Sequence, residues 1–145
     1  MNVRPSILCP VDYSPASAEA LQYAAAIAER FVTRLIVLAV DPLPAADVDV
    51  ARQAHSIRET SEKAVARFVI DTFGAGTPAS ALCEYDVAAG TPSVEILRIA
   101  RERSCDLIVM SSHGPTGARK WLCGSTTEHV LRETTVPVLV TPPIA

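Results

Sequence analysis

Apolar residues in this chain recur with two periods that alternate from one end to the other, and that alternation restricts the fold more than any other feature. Short apolar runs at 6–11, 34–40, 81–87, 106–110 and 136–141 read as strands. The segments between them carry apolar residues at helical spacing. Leu21, Ala24, Ala25 and Ala28 form one stripe. Ala54, Ile57, Ala64, Val65 and Phe68 form another, with Arg58, Glu59, Glu62, Lys63 and Arg67 opposite. Ile96, Leu97 and Ala100 mark a third. Ser14-Pro15 and Gly90-Thr91-Pro92 open helices with a cap followed by a proline, which suits a position that needs no N–H. Gly74 and Gly76 stop the second helix. Ser125 and Glu128 have the spacing of a capping box for the last helix, with Ser125 as the cap.

Strands that alternate with helices and read as near-continuous apolar runs imply a parallel sheet covered on both faces. Right-handed crossovers leave few arrangements. The expected fold is a doubly wound α/β domain over 1–145, with five parallel strands in the order 3-2-1-4-5. Pro137 lacks an N–H and puts the fifth strand at an edge. In this order the chain reverses direction across the sheet between strands 1 and 4. Ligands bind outside the carboxyl ends of such strands. Those ends are Asp12 and residues 111–114.

With 145 residues, 49% hydrophobic and 20% charged, the chain can bury a core without disulfides or a structural metal. A formal charge of −3 leaves no electrostatic footprint for nucleic acid or an anionic membrane. An anionic ligand would therefore need a local site of backbone N–H groups and a few cations. Residues 1–10 lack the pattern of a signal peptide. The longest apolar run, 35–40, is far short of the roughly 20 residues of a membrane span. Cys9, Cys83, Cys105 and Cys123 form no CxxC pair. They are expected to be reduced, structural thiols, and a cytoplasmic location follows.

The stretch 111–125 reads SSHGPTGARKWLCGS, between a buried strand and a helix start. Gly114, Gly117 and Gly124 let backbone N–H groups approach a phosphate with no Cβ in the way. The helix that follows adds the positive end of its dipole. Ser125 and Thr126 could donate hydroxyl protons to phosphate oxygens. Arg119 and Lys120 are the basic pair of the loop. Trp121 and Leu122 sit between the glycines and are expected to anchor the loop rather than stack on a base.

These residues resemble the universal stress proteins, whose nucleotide-binding pattern is Gly-x2-Gly-x9-Gly-Ser/Thr after the fourth strand. Gly114 takes the second place, residues 115–123 are the nine, and Gly124-Ser125 closes the pattern. Ser111 stands where the first glycine falls. Pro10-Val11-Asp12 with Ser14, and 136–140 at the other end, resemble the family as well, so the likeness covers essentially the whole chain. It implies an adenine nucleotide, ATP or ADP or AMP, with Mg²⁺ on its phosphates. Asp12 would meet the ribose or the phosphate-bound Mg²⁺. Val40 and Asp41 would form the adenine edge, and Pro10 and Val11 would wall the pocket. Gly114, Gly124, Ser125 and Thr126 would cradle phosphate. Apart from the resemblance, His113 and Arg119 are further candidates to meet a phosphate, and Gly117 is an extra glycine that could help the loop turn. The resemblance also implies homodimers, which an edge strand at 136–141 would suit.

Catalysis finds little support. No GxSxG elbow surrounds Ser112, and no His, Cys, Asp or Glu cluster has metal-ligand spacing. His55 and His129 fall on expected solvated faces. No residue is evidently placed to activate water for in-line attack, so hydrolysis is expected to be slow or absent. A flavodoxin-like reading would need a phosphate loop after strand 1, where Asp12-Tyr13-Ser14-Pro15 offers an acid and no glycine. The alternative is an interaction or stress module of the same fold with an empty crevice. Ser111 keeps that alternative open.

Overall fold

The computed structural model describes residues 4–42, 50–113 and 123–142. The first strand, β1 (Ser6–Val11), leads into α1 (Pro15–Phe31), and β2 (Arg34–Asp41) into α2 (Val50–Phe73). A short α3 (Pro78–Leu82) precedes β3 (Cys83–Ala89). Then come α4 (Pro92–Glu102), β4 (Leu107–Ser111), α5 (Ser125–Glu133) and β5 (Val138–Thr141). All strand pairs are parallel and the order is β3-β2-β1-β4-β5, as the alternation of periods predicts.

Successive side chains of a strand point to opposite faces, and each face has its own helices. On one face, Ile7, Cys9, Leu35, Val37 and Val109 pack against Leu21, Ala24 and Ala28 of α1 and Val65 and Val69 of α2. On the other, Leu8, Ile36, Leu38, Ile108 and Met110 pack against Ile96, Ile99 and Ala100 of α4 and Val130 of α5. Burial on both sides is why these strands lack a polar alternation. Cys9 and Cys105 are buried and Cys83 is half-buried; burial pushes the Cys83 thiol up to about 11 and raises Cys9 and Cys105 as well.

Three local expectations need correction. Residues 81 and 82 belong to α3, not to a strand. Thr77 caps that helix by accepting from the Ser80 N–H at 3.2 Å, with Pro78 in the first turn, so β3 starts at Cys83. β5 starts at Val138, and Pro137 stands just before it; the Pro137 carbonyl accepts from the Ile108 N–H at 2.9 Å, while its ring nitrogen has no proton to donate in return. The cap of α5 is Gly124 rather than Ser125. The Gly124 carbonyl already accepts the first helical bond, from Glu128 N–H at 3.0 Å, and Ser125 becomes the first helical residue. No helix among the described residues is long and apolar enough to cross a membrane.

Candidate functional site

The carboxyl ends of β1, β2 and β4 and the amino ends of α4 and α5 enclose a cavity of about 340 Å³, near the lower end of the range of about 300–1,000 Å³ typical of small-molecule sites. Its floor follows from strand periodicity. Pro10 of β1, Leu38 and Val40 of β2 and Met110 of β4 all project toward the α4–α5 face, and Pro92 and Ile96 of α4 close the apolar side.

Asp12 follows β1 at the cavity mouth, exposed to solvent. Its Oδ1 accepts from the Ser14 N–H at 3.0 Å and from the Ser14 hydroxyl. Ser14 Oγ in turn accepts from the Ser17 N–H at 3.1 Å and caps α1. The Asp12 N–H donates to Ser17 Oγ at 3.3 Å. This Asx turn holds Tyr13 at φ 66°, a left-handed conformation rare for a non-glycine residue. The Tyr13 ring meets Phe68 edge-on at 5.6 Å between centroids. Burial, and secondarily Asp41, raise the pKa of its phenol.

Val40 and Asp41 part company. One step along a strand reverses the face, so Val40 lines the cavity and Asp41 does not. The Asp41 carboxylate accepts from the hydroxyl of Ser61 on α2, and its carbonyl accepts from the Gly90 N–H at 2.8 Å.

At the end of β4, Ser111 lines the cavity. Among the described residues the non-glycine positions with positive φ are Tyr13, Val32 and Ser104, so Ser111 carries no left-handed strain where the family pattern has glycine. Its hydroxyl donates to the His113 carbonyl at 3.0 Å, and its own carbonyl accepts from Thr127 Oγ1 at 2.8 Å. His113 is buried, lines the cavity, and has its Nδ1 2.9 Å from Ser112 Oγ. The Ser112 N–H donates to the Thr141 carbonyl at 3.1 Å and the Ser112 carbonyl accepts from the Gly124 N–H at 2.6 Å. The start of α5 is thereby fixed against the end of β4.

Gly124, Ser125, Thr126 and Thr127 form the polar wall. Gly124 has no side chain to cap the turn, so the N–H groups of Ser125, Thr126 and Thr127 find no acceptor among the described residues. Three N–H donors and the positive end of a helix dipole at a cavity wall are an arrangement that could receive an anion. Among the described lining residues none is Lys or Arg, and Asp12 is the carboxylate. No group of three or more His, Cys, Asp and Glu among the described residues could hold a metal by itself.

Of the residues singled out from the sequence, Pro10, Val11, Asp12, Val40, Ser111, His113, Gly124, Ser125 and Thr126 share this one cavity. Gly114, Gly117 and Arg119, with Lys120, Trp121 and Leu122, lie outside the described residues. Sequence reasoning missed Ser17, Leu38, Pro92, Ile96, Met110 and Thr127. A signal existed for two of them: Leu38 is two residues from Val40, and Met110 is the last apolar residue of its strand, so period-two counting puts both on the α4–α5 face.

A family model described as the universal stress protein family matches residues 4–142. Universal stress protein MJ0531 of Methanocaldococcus jannaschii is 30% identical over 146 aligned positions, spanning 96% of this chain and 82% of that protein. Universal stress protein MJ0577 of the same organism is 43% identical over a shorter stretch of 54 residues, 37% of this chain and 33% of that protein's length. The solved structure of MJ0577 superposes with a TM-score of 0.78 at 25% identity, covering 98% of both chains. Two further solved structures share the fold. One is a universal stress protein in complex with cAMP, with a TM-score of 0.73, 22% identity and 97% and 99% coverage of this chain and that one. The other is from Archaeoglobus fulgidus in complex with dAMP, with a TM-score of 0.59, 18% identity and 97% and 98% coverage.

Proposed function

The chain belongs to the universal stress protein family, and from that premise we propose that it is a regulatory protein that binds an adenine nucleotide, ATP or its shorter relatives, in the cavity between β1, β4 and α5. The observation that carries this reading is the uncapped amino end of α5, whose Ser125, Thr126 and Thr127 N–H groups meet a cavity with an apolar opposite wall. A phosphate satisfies such donors without needing a cation beside it, and the flat aromatic face of a base suits Val40, Pro92 and Ile96. Two proteins of the same fold are solved with adenine nucleotides, which supports the choice of base.

In this reading Ser125 and Thr126 add hydroxyl donors to the phosphate, and Gly124 keeps the approach clear of a side chain. Pro10 and Val11 wall the pocket beside the sugar. Asp12 has Oδ1 engaged with Ser14, which leaves Oδ2 for a ribose hydroxyl or for Mg²⁺ carried in on the phosphates. The metal would thus arrive with the nucleotide, since the carboxylate of Asp12 alone is too few ligands to hold it. Gly114, Gly117 and Arg119 remain part of the proposed cradle on the strength of the sequence pattern.

Two further parts of the proposal concern the whole molecule. β5 is an edge strand with Leu139 exposed, and pairing with a second copy would cover its open backbone groups and form a homodimer. Thiols raised by burial suit a reducing cytoplasm. Mass spectrometry of small molecules released from freshly purified protein tests the nucleotide reading. An adenine nucleotide is expected; another class of anion in its place would reassign the cavity.

A further inference from the structure

The sheet has two outer strands, β3 and β5, and their free edges are not alike. In a parallel ladder the backbone groups of alternate residues turn to opposite sides of the strand. In β5 the carbonyls of Pro137 and Thr141 accept from the N–H groups of Ile108 and Ser112, so Val138 and Val140 turn their N–H and C=O groups outward. The nearest side-chain bond, from the Val136 N–H to Thr134 Oγ1 at 2.9 Å, lies before the strand. Among the described residues no side chain covers the N–H of Val138 or Val140.

The other edge is different. The Gly90 N–H donates to the Asp41 carbonyl of β2 at 2.8 Å. Counting back by twos turns Ala88, Asp86 and Glu84 toward β2, and leaves the N–H groups of Tyr85, Val87 and Ala89 on the open side. The middle one is taken. Asp86 Oδ1 accepts from the Val87 N–H at 3.0 Å. The second oxygen, Oδ2, accepts at 2.8 Å from Nη2 of Arg103, the residue that caps the carboxyl end of α4. A strand that joins an edge bonds to its alternate residues. One approaching β3 would aim a carbonyl at Val87 and meet a carboxylate oxygen, acceptor against acceptor, at the middle of the ladder.

We propose that Asp86, held in place by Arg103, closes the β3 edge to strand addition and leaves β5 as the edge through which this chain associates. Charged side chains at an edge are a means by which sheets avoid adding strands. The consequence is a limit on size. Two copies joined β5 to β5 about a two-fold axis would make one continuous sheet with a β3 at each end. Were those ends open, the sheet could go on growing; closed, it stops at two copies. That limit rests on the dimer reading above, whereas the closing of β3 rests on the bonds of Asp86 alone.

Sedimentation velocity of the full chain over a range of concentrations tests this, on wild type, Asp86→Ala, Arg103→Ala and the double variant Asp86→Ala with Val87→Pro. Thermal melts confirm that each is folded. Wild type is expected to show nothing larger than a dimer. Asp86→Ala should add larger species that increase with concentration, and Arg103→Ala should shift the same way to a smaller extent. Val87→Pro removes the N–H on the open side, the side on which a strand tolerates proline, so the double variant should return to the wild-type distribution. Association caused by poor folding would be worsened by that proline and not reversed. A monomeric wild type would end the dimer reading; Asp86→Ala that then dimerises, with the proline reversing it, would still uphold the closing of β3. Asp86→Ala with the wild-type distribution throughout, or a double variant as large as Asp86→Ala, would overturn the proposal. Should Asp86→Ala fail to melt cooperatively, Arg103→Ala decides, and an unchanged distribution there would overturn it equally.

Discussion

The N–H of Gly124 donates to the carbonyl of Ser112 at 2.6 Å, which ties the cap of α5 to the residue that follows β4. That bond orients a helix start toward the cavity while the Gly124 backbone, at φ −59° and ψ 157°, stays in a region open to any L-residue. The proposed phosphate cradle therefore calls on Gly124 for space and not for conformation.

Gly124→Val separates those two roles. The variant is expected to fold with a stability change of about 1 kcal/mol or less, because its backbone can keep the same angles. A branched side chain at the cavity wall should abolish the stabilisation that Mg-ATP gives the wild type. Thermal melts with and without nucleotide check both parts, and an undiminished shift would remove Gly124 from the phosphate cradle.

Thr127 shows what holds the cavity together. It is 3% exposed and its hydroxyl donates to the Ser111 carbonyl at 2.8 Å. Thr127→Val keeps the shape and leaves that carbonyl without its donor, at a cost of about 1–3 kcal/mol. Urea denaturation should show a lower midpoint with an unchanged slope. Equal midpoints would mean that the bond contributes nothing net.

Asp12 is asked to do two things, close a turn and meet a ligand, and two variants divide them. Asp12→Asn retains an oxygen for the Ser14 N–H and hydroxyl, so stability should hold while the benefit of Mg²⁺ to nucleotide binding disappears. Asp12→Ala removes the turn as well and should cost about 1 kcal/mol in addition. Titrations with and without Mg²⁺, paired with melts, decide it. An Asn variant that binds Mg-ATP as wild type does would confine Asp12 to the turn.

Arg34 and Glu84 join β2 to β3 by two bonds, Nε to Oε2 at 2.8 Å and Nη2 to Oε1 at 3.0 Å. The hydrogen bond from Arg34 depresses the Glu84 pKa. A depressed folded-state value contributes stability that is present above the unfolded value and lost as pH falls through the folded one. Both side chains are more than a third exposed, so solvent screening holds the contribution to about 1 kcal/mol at most. Arg34→Ala should melt slightly below wild type near neutral pH, with the gap closing as the pH falls below the ordinary glutamate range. A gap independent of pH would assign the loss to packing of the arginine stem instead.

Much of this architecture is legible in the sequence because helices and strands here obey their periods without competition. Leu8, Ile36, Leu38 and Ile108 are buried on one face and Ile7, Leu35, Val37 and Val109 on the other, and such unbroken runs dictate a parallel sheet between two helical layers. Ser14 with Pro15 starts α1 where cap chemistry says it should. The failures come where two local rules compete. Thr77-Pro78 has the same cap-then-proline device as Ser14-Pro15, yet the apolar run beyond it reads as strand; five residues of helix intervene before β3. Ser125 has the better capping side chain, but the Gly124 backbone is already held by Ser112 and takes the cap position.

The candidate site was legible to the extent that strand ends and helix starts could be counted. Val40 and Asp41 are adjacent in sequence, and nothing local says which one faces the crevice until the register of β2 is known. Thr127 carries no sign of its bond to a residue 16 positions earlier. Contacts of that kind follow from the crossing of α5 over β4, which only the assembled sheet defines.

The central claim is that the amino end of α5 and the carboxyl ends of β1 and β4 form one adenine-nucleotide site. Calorimetric titration of Mg-ATP into the purified protein tests it most directly. The account predicts saturable binding of one nucleotide per chain, weakened when Gly124 becomes valine. The absence of measurable binding at millimolar nucleotide, in a protein that melts cooperatively, would contradict it.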